Sequence, residues 1–172
     1  GFHKLAAEML CESSSRFFEI PISIVRLFSV YGEGLRKQLL WDAMNKFSRR
    51  DEEFFGTGNE LRDWIHVEDA ANLLALAGLS RQSSFEVYNG GFEHASTRDV
   101  LQQLARVCGF GPAVAFSGEV HKGNPRRLTS DCAHTSRLLN WTPRVQLVDG
   151  LARYAAWFRS LSEAGDALGA AR

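Results

Sequence analysis

Apolar and polar positions along the chain change period several times. Phe2, Leu5, Ala6, Met9 and Leu10 recur on one stripe, which predicts an amphipathic helix over residues 2–17. Ile20 to Val30 is then a nearly continuous apolar run around Pro21 and Arg26, the pattern of a strand buried on both faces of a parallel sheet. Tyr31-Gly32-Glu33-Gly34 reads as a loop. Leu39 to Phe47 returns to helical period, with Leu40, Met44 and Phe47 on one side. Glu52 to Phe55 is predicted as a short strand that ends at the turn Gly56-Thr57-Gly58. A second short apolar run, Trp64-Ile65, is closed by His66-Val67. After it Ala70, Leu73, Leu74 and Ala77 repeat at helical spacing, with Glu68 and Asp69 in the first turn, where carboxylates favour the helix dipole.

The second half continues in the same way. Arg81 to Ser84 is a polar turn and Phe85 to Tyr88 a short strand. Ser96 with Asp99 three residues on is a helix start, followed by Val100, Leu101, Leu104 and Val107 and stopped by Gly109. Ala113 to Phe116 is a further candidate strand. Asp131 to Leu139 is expected as a short helix ending before Pro143. Leu147, Leu151, Tyr154, Phe158 and Leu161 mark a last amphipathic helix, and the Ala/Gly-rich tail after Glu163 is expected to fray. There is no internal repeat.

Length and composition narrow the function classes. A chain of 172 residues is one domain by length and can bury a real core. Its 45% hydrophobic and 23% charged residues are ordinary globular usage. Twenty basic residues balance 20 acidic ones, so no net field recruits nucleic acid or an anionic membrane, and any anion site is local. The apolar runs are too short to span a bilayer, and no signal peptide opens the sequence. Cys11, Cys108 and Cys132 are odd in number and lack Cys-x-x-Cys spacing, which suits a reducing cytoplasm with buried thiols. The sequon Asn140-Trp141-Thr142 is then inert. The five histidines show no metal-ligand spacing, so no bound metal is expected.

The most informative chemistry lies at Arg62. It stands at the mouth of a strand that feeds a buried helix, and an arginine there can hold a diphosphate or carboxylate in a bidentate grip. The plainer alternative is an Arg62–Asp63 surface pair worth little. Gly56-x-Gly58, then Arg62-Asp63-Trp64-Ile65-His66-Val67-x-Asp69, resembles the signature of the extended short-chain dehydrogenases, the sugar-nucleotide epimerases and dehydratases. Four further segments fall in the order of that family. Arg26-Leu27-Phe28-Ser29-Val30-Tyr31-Gly32 is similar to its junction between sheet and substrate domain. Val87-Tyr88-Asn89-Gly90-Gly91, followed by Ser96, resembles its last strand and turn. Gly123 to Asp131 and Leu138 to Pro143 resemble its C-terminal signature.

The resemblance implies an α/β fold: the last two strands of a Rossmann-type sheet, with the small α/β substrate-binding domain of that family. Residues 1–32 and 62–91 would belong to the sheet and its helices, and 33–61 and 92–172 to the substrate-binding part. Arg62 matches the arginine that grips a nucleotide diphosphate, and Phe55 the position beside the base; ordinary core is the alternative for Phe55. Gln38 falls near a substrate-binding asparagine, and Ser29 stands where many members carry asparagine. His121 replaces a second diphosphate arginine, so Lys122 or Arg126 would supply that charge, unless Arg126-Arg127 is merely a solvated basic pair. His66 is expected to order the strand–helix junction.

Gly1-Phe2-His3-Lys4 resembles the end of the family's catalytic Tyr-x-x-x-Lys, whose tyrosine would precede Gly1. In the family that lysine binds the nicotinamide ribose and lowers the tyrosine's pKa. Lys4 is then vestigial, an exposed helix lysine. No glycine-rich turn follows a strand, so NAD, the cofactor of the full-length family, is not expected to bind this chain. The expected ligand is a UDP- or dTDP-sugar. Two functions follow: the C-terminal portion of an NAD-dependent nucleotide-sugar epimerase or dehydratase, inactive alone, or a non-catalytic nucleotide-sugar-binding or self-associating module. A homo-oligomer is expected in either case, because the first helix and the Ile22–Phe28 strand would leave an apolar stripe and an open edge.

Overall fold

The structure, a computed structural model, describes residues 1–80, 85–110, 114–120 and 122–170, with 162–170 by backbone alone. Its organising strand is β4 (Leu61–His66), whose residues Asp63 to His66 are all buried. β2 (Ser29–Tyr31) pairs parallel to the second half of β4, and β8 (Arg127–Leu128) pairs parallel to its first two residues. β6 (Glu93–Ser96) runs antiparallel along the opposite edge, because Leu61 faces both Ser96 and Arg127. Two small parallel pairs complete the strands: β1 (Ile22–Leu27) with β5 (Phe85–Gly90), and β3 (Glu53–Phe54) with β7 (Ala115–Phe116).

The apolar run from Ile20 to Val30 is one extended segment that changes partner at Phe28. Phe28 N–H still donates to Gly90 O on β5, while Val30 N–H folds back to Phe28 O at 3.0 Å and Ser29 begins to pair with β4. The expectation of burial on both faces is corrected: β1 pairs only with β5 among the described residues, and its side chains are at most half-buried. Without a second neighbour, its apolar residues stay partly wet.

Helices follow the predicted periods. α1 (Phe2–Phe18) rests on β1 and β5 through Ala6, Cys11 and the buried Ser15, and Glu8 pairs with Arg26. Its stripe of Phe2, Leu5, Met9 and Leu10 points to solvent. α2 (Gln38–Ser48) buries Leu40, Ala43, Met44 and Phe47, and α3 (Val67–Leu79) buries Ala70, Leu73 and Ala77. Leu74 is half-exposed, a correction to its predicted place on the buried stripe. Asp69 does more than favour the dipole. It is buried and accepts from Arg144 N–H and Val145 N–H, fixing the entry to the last helix.

α4 (Thr97–Cys108) starts in a reciprocal Ser96–Asp99 capping box and ends at a left-handed Gly109. α5 (Ala133–Leu139) is short, and α6 (Leu147–Ala170) continues in helix through the tail that was expected to fray. The main core joins α2, α4 and α6 around Tyr31, Phe54 and Trp64; a smaller one packs Ile65 and α3 against Trp141. The three cysteines are free and half-buried rather than fully buried. Among the described residues no helix is long and apolar enough to cross a membrane. The Arg81–Ser84 turn and Ala113 lie outside the described residues.

Candidate functional site

The partner switch at Phe28 opens a cleft of about 400 Å³ between the sheet, the start of α2 and the turn after β3. Ser29, Gln38, Phe55 and Arg62 all line it, although they span 34 positions of sequence between the first and last. Through Glu60 and Asn124 it runs into a cavity of about 290 Å³ that Thr57, Asn59 and Arg126 also line. Through Tyr31, Leu35 and Gln38 it meets a third, of about 390 Å³, beside Gly32-Glu33-Gly34. Together they form one groove along the sheet's edge.

Strand alternation decides which side chains face it. Arg62 and Trp64 line the cleft, while Asp63 and Ile65 are 0% exposed on the other face. An Arg62–Asp63 surface pair is therefore ruled out by geometry. Arg62 donates through Nη1 to Leu61 O at 2.8 Å and through Nη2 to Asn124 Oδ1 at 2.5 Å, which leaves three of five N–H donors for a ligand among the described residues. The same alternation separates Phe54, in the core, from Phe55, 58% exposed at the cleft. The core alternative for Phe55 belongs to its neighbour.

Gln38 opens α2 with φ +67°, a strained conformation for a residue with a Cβ. Ser29 is half-buried on β2. Arg126 is exposed and lines the smaller cavity, while Arg127 donates to Thr129 instead, so the basic pair divides. Lys122 is exposed and lines none of these cavities. Lys4 is exposed on α1, outside the groove. His121 lies outside the described residues.

Two groove residues were not singled out from the sequence. Glu60 lines both the cleft and the smaller cavity, and accepts from Thr57 N–H at 3.1 Å and Thr57 Oγ1 at 3.0 Å. Burial raises its pKa, but the donors of the Thr57–Glu60 turn outweigh this and hold it below the ordinary 4.5. The period-two spacing from Arg62 was the available signal. Asn124 lay inside the C-terminal signature but carried no role there.

The far end of the groove is fixed by buried His66. Its Nδ1 accepts from Glu68 N–H at 3.3 Å, capping α3, and its Nε2 lies 3.0 Å from Glu33 Oε2. Nδ1 as acceptor requires the proton on Nε2, so neutral His66 donates to Glu33. Glu33 Oε1 in turn accepts from Arg153 Nε at 2.8 Å. Burial would raise the Glu33 pKa; its own backbone N–H, Arg153 and His66 lower it more. Gly32 at φ +143° lets this loop close, since a Cβ there would collide with Val67.

The helix that follows β4 directly, α3, is capped by His66 and carries Glu68 and Asp69 in its first turn, which disfavour an anion at that end.

A protein-family model described as the NAD dependent epimerase/dehydratase family matches residues 1–91. The chain is 30% identical over 164 residues to an uncharacterized UDP-glucose epimerase, YtcB, of Bacillus subtilis, covering 94% of this chain and 52% of that protein. It is 27% identical over 158 residues to the UDP-glucuronate 4-epimerase of Thermodesulfobacterium geofontis, covering 90% and 48%. The crystal structure of UDP-glucuronic acid 4-epimerase from Bacillus cereus, in complex with UDP-glucuronic acid and NAD, superposes with a TM-score of 0.83. The two are 29% identical, over 92% of this chain and 51% of that one. The chain spans about half the length of these curated relatives.

Proposed function

Because the chain belongs to the NAD dependent epimerase/dehydratase family, we propose that its groove holds a nucleotide-sugar by the diphosphate, as the substrate-binding portion of an epimerase or dehydratase. The observation that carries this reading is the convergence of Ser29, Gln38, Phe55 and Arg62 on one cleft. Arg62 offers a planar fork to the diphosphate. Phe55 presents an exposed ring to the base, and Arg126 adds a second positive charge from the adjoining cavity. Ser29 and Gln38 bond sugar hydroxyls. Glu60, ionised at neutral pH, accepts from hydroxyl or N–H groups.

A relative that is solved with UDP-glucuronic acid and a 4-epimerase activity in its name support a UDP-sugar first, with a dTDP-sugar as the related choice. In this reading residues 33–61 and 92–172 form the substrate part, and 1–32 and 62–91 the sheet that carries it. The apolar stripe of α1 and the edge of β1, unpaired among the described residues, support a two-fold dimer.

Calorimetric titration with UDP-glucose tests the assignment. Losing one charge-assisted contact costs on the order of 1.5–3 kcal/mol, so Arg62→Ala weakens binding by at least about tenfold. Unchanged affinity in that variant would remove Arg62 from the site.

A further inference from the structure

Asp63 is fully buried, and a buried carboxylate persists only where donors surround it. Its donors come from two distant segments. Phe92 N–H, in the turn between β5 and β6, lies 2.6 Å from Oδ1. Ser130 donates to Oδ2 through its N–H at 2.8 Å and through its hydroxyl. His94 Nε2 stands 3.5 Å from the carboxylate, and Cys132 Sγ lies 3.1 Å from Ser130 Oγ. Gly91 completes the fit, because a Cβ there would collide with both Asp63 and Ser130.

Ser130 ends a segment whose other end, Asn124, touches Arg62. Between them β8 pairs with Leu61 and Arg62, and Leu61 N–H donates to Arg126 O at 2.9 Å. That ladder is only two residues long, and Asn124 to Leu128 are exposed, so it orders the segment weakly by itself. Neighbouring residues of one strand thus hold the segment from its two faces: Asp63 from within, Arg62 at the groove.

We propose that Asp63 is a positioning residue for the diphosphate site. By fixing Ser130 it sets the register of residues 124–130 on β4, which keeps Asn124 against Arg62 and Arg126 at the adjoining cavity. The neutral amide of Asn124 orients the guanidinium without cancelling its charge, so the cation stays available to an anion. This inference rests on the diphosphate reading above.

The test is titration of the 172-residue chain with UDP, using Asp63→Asn, Asn124→Ala and the double variant. Each single change weakens UDP by about fivefold, and the double is no weaker than the worse single, because residues acting through one contact are not additive. Fold-losses that multiply in the double variant would overturn the proposal. Ser130→Ala keeps the backbone N–H bond to Asp63 and tests the same link should Asp63→Asn fail to fold. It too weakens UDP; unchanged affinity there overturns the link. A second readout needs no ligand: the Arg62 Nε–H resonance shifts in Asp63→Asn and Ser130→Ala toward its position in Asn124→Ala. A resonance that stays put contradicts the proposal. If UDP does not bind the unmodified chain, the diphosphate reading itself fails, and the Arg62 resonance alone decides whether Asp63 holds the segment.

Discussion

Glu33 links three parts of the molecule through one carboxylate: its own loop, His66 at the head of α3, and Arg153 on α6. Its pKa in the folded chain lies below the ordinary 4.5, so its contribution to stability is complete above that value and is lost as pH falls through the lower, folded one. Thermal melting of the unmodified chain and Glu33→Gln should therefore differ at neutral pH and converge in acid, once the pH falls below the lowered Glu33 pKa. A gap that stays constant across that range would deny the carboxylate its role. Residues of this kind were only partly legible in the sequence. Arg62 and Phe55 were assigned because the stretch around Gly56 to Asp69 resembles a family signature. Asp63 was weighed as a partner for Arg62, although strand alternation sends the two to opposite faces. Its true donors, Phe92 and Ser130, lie 29 and 67 positions away, and no local pattern points to them.

Elements with a strong period were readable; short polar ones were not. α4 was legible because Ser96 and Asp99 mark its start and Gly109 its end, and all three act as caps. Ser96→Ala should cost about 1 kcal/mol and lower the urea midpoint accordingly; an unaltered midpoint would mean the box does not hold the helix start. β8 is two residues long, Arg127 and Leu128, and β6 reads Glu93-His94-Ala95-Ser96, so neither carries an apolar alternation. Both form because β4 offers ladder groups on each edge. The break at Phe28 was hidden from the hydrophobic pattern, although the resemblance of Arg26 to Gly32 marked a junction there. The apolar run is continuous there, and only the change of partner from β5 to β4 creates the kink and with it the cleft.

At the scale of the whole molecule, two surfaces remain without partners among the described residues. Phe2 is 79% exposed and Met9 62% on the outer face of α1, and β1 has an unpaired edge among the described residues. Burying such side chains is worth about 1.5–3 kcal/mol each, well above an exposed ion pair. Light scattering at micromolar concentration should therefore give the mass of a dimer, and a stable monomer would contradict it. The groove is a separate matter and carries the central claim, that a nucleotide-sugar is held between Phe55 and Arg62. The most direct measurement is an amide and arginine side-chain NMR titration with UDP-glucose. The account predicts shifts that grow together at Ser29, Phe55, Asn124 and the Arg62 guanidinium and leave α1 unmoved. Shifts confined to α1, or none at Arg62 at saturation, would contradict it.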